Sequence, residues 1–275
     1  RRIEGHRGPA EQDLDRRRPG EDRGRRAVEH RPQRHAAGAE AVDRRRRTGL
    51  GRDDRRTIVG GRWEHDFDNT TTWRNQFVFD DRNISQPTGA TSAIGDYPSY
   101  NFISDVTKRG EILGLESVSY FGASFNSLAV SGDTRNVVPG GNGKLGGLAS
   151  NLYSDTSNLG FRARQEIKLI PQLTAIAGIG WEQTHLRGVN TAYDYTKNPT
   201  GVTQISTDQW FRNTAPELAL VYRPDAEWQF RGRVATGYGT PQVSNFFALQ
   251  SGDFGNNTSL TAQTNGGYDL GTDWT

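Results

Sequence analysis

The most regular feature of the chain is a two-residue repeat of apolar and polar side chains, which runs from about Val59 to the C-terminus. Alternation of this kind is typical of β-strands whose two faces meet different surroundings. It is clearest in one segment with apolar positions Leu159, Phe161, Ala163, Ile167 and Leu169 and polar positions Arg162, Arg164, Glu166 and Lys168. We therefore predict an all-β, antiparallel fold for residues 62–275.

Short turns join the alternating segments into hairpins. Turn signals of Pro, Asp and Asn fall at 68–72, 170–172 and 223–227, and a last alternating segment covers 268–274. The direction of the chain then requires one more short turn, which we place near 121–124. Together these segments predict about nine strands.

The connections at the other end of the predicted strands are long and polar. They are expected at 82–110, 132–156, 187–206 and 240–264. Tight turns on one side and long loops on the other are typical of antiparallel barrels that cross a membrane. No run approaches the roughly 18 apolar residues of a membrane-spanning helix, so a membrane protein with this sequence crosses with strands.

Aromatic residues cluster at the predicted strand ends on the apolar face. Amphipathic rings favour the headgroup level of a bilayer, so this placement indicates two interfacial girdles around a band that contacts lipid. The residues are Trp63, Phe67, Trp73, Phe79, Trp181, Tyr222, Trp228, Tyr238 and Trp274.

Residues 1–61 differ sharply from the remainder. They hold 18 of the 34 basic residues, all Arg, and 11 of the 32 acidic ones, but none of the aromatic residues. A segment with so little apolar surface is predicted to be disordered. Its residue types are those of GC-rich codons, so our hypothesis is that it is translated out of frame. An ordinary disordered tail and a basic nucleic-acid-binding arm are the alternatives, but the absence of Lys and aromatic residues argues against nucleic acid as a partner.

No pattern in the chain indicates an enzyme. There is no Cys, and the sequence shows no nucleophile motif, dinucleotide loop or cluster of metal ligands. We predict no catalytic residues, no metal site and no cofactor. The chain has no Met, from which we expect that the true start is missing.

The order of the hairpins resembles the barrel of TonB-dependent receptors of the siderophore type. The resemblance covers roughly 62–275 and is strongest in five consecutive stretches. These are NLGFRARQEIKL at 158–169, LTAIAGIGWE at 173–182, TAPELALVYRP at 214–224, ATGYGTP at 235–241 and NGGYDLGTDW at 265–274.

The resemblance implies a protein of the cell outer membrane, with a plugged barrel of about 22 strands. It implies active uptake of a ferric siderophore or similar metal chelate, with energy from the TonB protein. Neither a plug nor the segment that contacts TonB is recognised, so we expect a partial barrel. The alternatives are a passive porin-like or adhesive outer-membrane barrel and a soluble carbohydrate-binding β-sandwich.

The predicted ligand contacts are charged residues of the barrel interior and aromatic residues of the outer loops. Guanidinium groups bind carboxylate, catecholate or hydroxamate oxygens around a chelated metal, although pairing with acids of the barrel wall is the alternative. Loop tyrosines are predicted to grip the ligand, with packing within the loops as the alternative. The candidates are Arg162, Arg164, Arg231, Arg233, Tyr97, Tyr100, Tyr193 and Tyr195.

The out-of-frame hypothesis for residues 1–61 predicts that these residues are missing from the native protein. We expect an intact mass that excludes the arginine-rich segment, together with peptides that map from residue 62 onward. The measurement is mass spectrometry of the protein isolated from its host, with resequencing of the gene as the control. Recovery of native peptides from the segment would contradict the hypothesis.

Overall fold

Residues 51–275, which the computed structural model describes, form a single antiparallel sheet. Apart from β3 and β4, which do not pair with each other, each strand pairs with its neighbours in the sequence, so the chain runs up and down across the sheet, as the alternation predicts. The strands are β1 (Asp53–Asp66), β2 (Thr71–Pro87), β3 (Thr91–Asp96), β4 (Ser99–Ile112), β5 (Leu115–Val137), β6 (Leu145–Ile170), β7 (Leu173–Asp194), β8 (Gly201–Tyr222), β9 (Trp228–Gly239) and β10 (Gln263–Trp274). Within this range β1 and β10 do not pair with each other.

The short strands β3 and β4 occupy one position in the sheet. Both lie between β2 and β5, and the pairings Asn83 with Asp96 and Asp80 with Ser99 continue one register. Pro98 has no amide hydrogen, so the ladder is interrupted there and resumes at Ser99. The described residues therefore fill nine strand positions, which agrees with the predicted number.

One end of the sheet carries only short turns. Three of them lie where the sequence predicts, after Asp66, after Ile170 and after Tyr222. In the first, the Asp68 carboxylate accepts hydrogen bonds from the backbone amides of Thr70 and Thr71 at 2.7 and 2.8 Å. Hydrogen bonds from the Thr70 hydroxyl and from these amides hold the pKa of the Asp68 carboxyl below its usual value.

The fourth short turn is at Leu113 and Gly114, and the prediction near 121–124 is wrong. Both residues have positive φ, of 54° and 78°, as a two-residue hairpin turn requires. Residues 121–124 lie in the middle of β5. The sequence does not show the start of β5 because Ser117 and Ser119 lie on the apolar face there and interrupt the alternation.

Three of the four predicted long loops are largely strand. Strands β2 to β8 extend into most of 82–110, 132–156 and 187–206. The connections between these strands are therefore short and cover only 88–90, 138–144 and 195–200. In these extensions both faces carry polar residues, so no two-residue repeat marks them. The connection between β9 and β10 is long, as predicted.

The first strand crosses the boundary that composition places after residue 61. It begins at Asp53, and its Val59 and Trp63 pair with Phe79 and Asn75 of β2. The prediction of disorder is wrong for residues 53–61, which belong to β1. The predictions of disorder and of translation out of frame for residues 1–50 lie outside the described residues. They remain predictions.

The strand register separates an apolar face from a charged face. Directly paired residues share a face, and Phe161 pairs with Trp181 while Leu218 pairs with Val234. On this outer face Leu218 is 60% exposed and Ile179 is 52% exposed. Large apolar side chains exposed on one face of the paired strands are typical of barrels that cross a membrane. None of the described residues belongs to a helix that is both long and apolar enough to cross a membrane.

The two faces predict losses of different size for the same substitution on β7. Ile179 lies on the outer face, whereas Ile176 lies on the opposite face and pairs with Glu166. We expect Ile179→Arg to lower the free energy of unfolding in lipid vesicles by about 2–4 kcal/mol, because it places a charge in hydrocarbon. Ile176→Arg should cost much less. The measurement is urea unfolding of the refolded chain, and equal losses would contradict the assignment of the faces.

Candidate functional site

The charged face of the sheet surrounds a cavity of about 720 Å³. Its lining comes from every strand between β4 and β9, so the sheet curves around this face, which we call the inner face. Apart from small residues, the side chains of the inner face that line it are Thr107, Val118, Tyr120, Arg162, Arg164, Glu166, Glu217, Arg233, Thr236 and Tyr238.

All four predicted arginines lie on the inner face, and three of them form ion pairs. Arg164 approaches Glu166 at 2.9 Å on the same strand. Arg233 lies 2.9 Å from Glu217 and 3.6 Å from Asp269, and Arg231 lies 2.8 Å from Asp273. Pairing with acids of the barrel wall, the alternative in the sequence analysis, is therefore observed for these three.

Arg162 differs from the other three arginines. Among residues 51–275 no acidic side chain forms an ion pair with it. Its direct cross-strand neighbours are Gly122 and Gly180, which carry no side chain that could satisfy the guanidinium group. Arg162 therefore presents to the cavity a positive charge that has no ion-pair partner among these residues.

Two phenol groups share the cavity with Arg162. Tyr120 comes from β5, and Tyr238 comes from the end of β9, where its side chain interacts with Glu182. The prediction that Tyr238 belongs to the outer aromatic face is wrong. Strand β9 pairs with β8 only as far as Ala235, and beyond that point Tyr238 reaches the inner cavity.

Glycines make room for the long side chains of the inner face. Gly178 lies beneath Glu217, so a Cβ atom at this position would be 2.7 Å from Glu217 Oε1 and 2.8 Å from its Cγ. The carboxylate of Glu217 is thereby free to lie flat across β7 and to meet Arg233. At Gly180, by contrast, a Cβ atom would have no neighbour closer than 3.8 Å.

A ladder of polar side chains crosses the inner face above the cavity. Asn126 donates to Asn101 at 2.6 Å, Asn158 donates to Asn126 at 3.3 Å, and the Thr184 hydroxyl donates to Asn158 at 2.6 Å. These residues are direct neighbours on β4 to β7. The ladder satisfies polar groups that a purely charged interior would leave without partners.

The connection between β9 and β10 folds against the inner face. It contains a short 3-10 helix, Val243–Phe247, whose Phe246 is completely buried against Leu186 of β7 and Phe211 of β8. The sequence analysis treated 240–264 only as an external polar loop and missed this cluster. The adjacent pair Phe246 and Phe247 within a polar stretch is the signal that indicates a docked segment.

Comparison with protein families decides the class. The model of the family described as "TonB dependent receptor-like, beta-barrel" matches residues 5–275. The chain belongs to this family. The family consists of transport receptors of the outer membrane rather than enzymes, which agrees with the resemblance that the hairpin order shows. A search of curated proteins found none that matches the sequence.

Solved structures show the same fold at low sequence identity. The ferric citrate transporter FecA in its unliganded form aligns at 16% identity and a TM-score of 0.64, over 81% of this chain and 32% of FecA. The ferric-catecholate import receptor Fiu from E. coli K12 aligns at 15% identity and 0.64, over 81% and 38%. The siderophore receptor PiuA from Acinetobacter baumannii aligns at 11% and 0.63, over 81% and 38%. The chain thus spans about a third of the length of these receptors.

In this receptor barrel the four candidate tyrosines do not join the arginines. Tyr100 and Tyr193, predicted in loops, lie in β4 and β7 on the outer face, where Tyr100 packs 5.1 Å from Phe79. Tyr97 lies at the interruption between β3 and β4. Tyr195 follows β7, and its hydroxyl donates to the Leu148 carbonyl at 2.9 Å. Their contact with a ligand remains a prediction.

The described part of the barrel shows no preformed metal centre. Between residues 51 and 275 no three His, Asp or Glu side chains come close enough together to hold a metal ion. Besides carboxylates, the inner face carries guanidinium, phenol and amide groups, which can bind organic oxyanions through hydrogen bonds.

Because Gly178 lies beneath Glu217 and Gly180 does not, we expect alanine at these two positions to change the free energy of unfolding differently. Gly178→Ala should lower the free energy of unfolding by about 1 kcal/mol, because the new methyl group displaces the carboxylate that pairs with Arg233. Gly180→Ala is the control and should be neutral or stabilising by up to about 1 kcal/mol. Urea unfolding of the refolded receptor barrel measures both, and a loss at Gly180 equal to that at Gly178 would refute the role of Gly178.

Proposed function

We propose that this chain forms part of the wall of an outer-membrane receptor that actively takes up a ferric siderophore or similar metal chelate. The observation that carries the proposal is the positive charge of Arg162 in the inner cavity, which has no ion-pair partner among residues 51–275. A cation without an acidic partner in a lined cavity is suited to an anionic ligand, whereas the paired arginines are already neutralised.

The cavity offers the donors that such a ligand needs. The Arg162 guanidinium presents two parallel N–H groups to a carboxylate, catecholate or hydroxamate. Tyr120 and Tyr238 add phenol groups that both donate and accept hydrogen bonds. The metal is cargo held by the chelating molecule, so the receptor needs no metal ligands of its own.

The named relatives support this class of cargo. FecA is a transporter of ferric citrate, Fiu imports ferric catecholates and PiuA is a siderophore receptor. Citrate and catecholates bind ferric iron through anionic oxygens. The proposed partners of this receptor are accordingly a metal-siderophore ligand, the lipid of the outer membrane and the TonB protein.

Two alternative functions make different demands on the structure. A β-sandwich buries the apolar faces of two sheets against each other, but residues 51–275 form one sheet with an exposed apolar face. A passive porin-like barrel keeps an open water-filled interior. Here the docked segment at 243–247 covers part of the inner face, which favours a gated receptor.

The proposal predicts that Arg162 contributes most of the affinity for an anionic chelate. The full chain, refolded in maltoside detergent, is titrated with ferric citrate and with a ferric catecholate, and tryptophan fluorescence is measured. We expect Arg162→Gln to weaken binding about tenfold, which corresponds to one charge-assisted hydrogen-bonding group. Arg164→Gln is the matched control and should change binding by less than about threefold, because Arg164 is already paired with Glu166.

Two outcomes would contradict the proposal. Equal effects of the two substitutions would show that Arg162 does not contact the ligand. If the protein binds neither chelate, the proposed cargo is wrong. Uptake of radioactive iron by the native host separates active from passive transport. It should stop in a strain without TonB, whereas a passive barrel would continue to transport.

A further inference from the structure

The outer face changes character at a definite height along β8. Its outer positions run from Tyr222 at the short-turn end through Leu220, Leu218 and Thr214 to Arg212. With about 3.4 Å per residue and a tilt of about 40°, Tyr222 and Arg212 are about 25 Å apart along the membrane normal. This is the height of the apolar band of an outer-membrane barrel, so Arg212 lies at the level of the outer headgroups.

Arg212 belongs to a notch at this level. The notch has a volume of about 460 Å³ and is lined by Gln183, Trp210 and Arg212. The Arg212 Nε donates to Gln183 Oε1 at 3.1 Å. Gln183 is a neutral partner, and within residues 51–275 no acid pairs with Arg212. Its charge is therefore uncompensated, and the terminal nitrogens of the guanidinium remain available.

A stacked pair holds the aromatic side of the notch in place. The Trp210 indole stacks on the His185 imidazole at a centroid distance of 4.0 Å and an interplanar angle of 3°. His185 Nε2 lies 2.8 Å from Asp208 Oδ1. Trp210 is nevertheless 56% exposed, as expected of an amphipathic ring at a membrane interface.

The next charged residues above the notch are already neutralised. Arg187 lies on the same face, with its Nε 3.3 Å from Asp155. Direct cross-strand pairing also places Arg187 beside Asp208. Arg187 thus has acids on both sides, whereas Arg212 has a neutral amide. Below the notch, Phe161 and Trp181 continue the apolar surface into the band.

We propose that this notch binds the phosphate group of an outer-leaflet lipid. Guanidinium binds phosphate through two parallel hydrogen bonds, and the Gln183 amide nitrogen can donate a third. The acyl chains of the same molecule would lie on the surface of Phe161 and Trp181. Continuity between the notch and the apolar band identifies a lipid rather than a soluble anion as the occupant. This inference does not involve the inner cavity.

The test uses the full chain refolded in maltoside detergent, which contains no phosphate. The probe is dipalmitoyl phosphatidylglycerol, and bound palmitoyl chains are measured after gel filtration. We expect Arg212→Gln to weaken retention of this lipid about tenfold, as for the loss of a charge-assisted pair. The control Arg187→Gln removes the same charge on the same face and should leave retention within about twofold. Heat modifiability in gel electrophoresis checks that both variants fold.

Two further arms distinguish the source of the phosphate. Dipalmitoylglycerol, which has the same chains and no phosphate, should be retained at least about tenfold less than the phospholipid. Inorganic phosphate should displace the lipid only weakly. Equal loss in the two arginine variants, equal retention of dipalmitoylglycerol, or displacement by inorganic phosphate at the concentration of the lipid would overturn the proposal.

Discussion

Every backbone amide and carbonyl that enters hydrocarbon must have a partner within the protein, because lipid offers none. The antiparallel ladder meets this requirement for the strands between β1 and β10, whose outer edges are unpaired within residues 51–275, and short turns such as Leu113 and Gly114 join the strands at one end. Once the ladder is fixed, side chains alternate between lipid and the interior. The two faces of the sheet can therefore evolve separately, one for anchoring and the other for recognition.

The inner face combines neutralised and free charge. Arg164, Arg231 and Arg233 pair with acids, and the buried Asp105 carboxylate accepts hydrogen bonds from Arg74 Nε and Nη2, each at 3.0 Å. Because each of these arginines is paired with an acid, its charge does not attract an anionic ligand. Arg162 stands apart because glycines are its cross-strand neighbours, so the same residue type has a different role according to what lies beside it. The docked helix at Val243–Phe247 then restricts access to the upper part of this face.

Alternation alone was enough to predict the all-β fold, three of the four short turns and the face of all four arginines. It failed where both faces of a strand meet water, as in the upper parts of β5 to β8, and where Ser117 and Ser119 replaced apolar residues. It also failed for Tyr100 and Tyr193, because a tyrosine in an extended strand and one in a polar loop have the same sequence neighbours. Tyr238 left the predicted face because β9 separates from β8 beyond Ala235.

The sequence by itself determined that this receptor barrel is built from strands with one apolar and one polar face, since side-chain parity is a local property of an extended chain and is visible without any partner strand. Only the tertiary structure decided which charges are free. Whether Arg162 or Arg212 has an acidic neighbour depends on the register between strands, which brings together residues such as Arg233 and Glu217 that are distant in sequence. Register is fixed by the turns and by the pairing of whole strands, so it is a property of the assembled sheet.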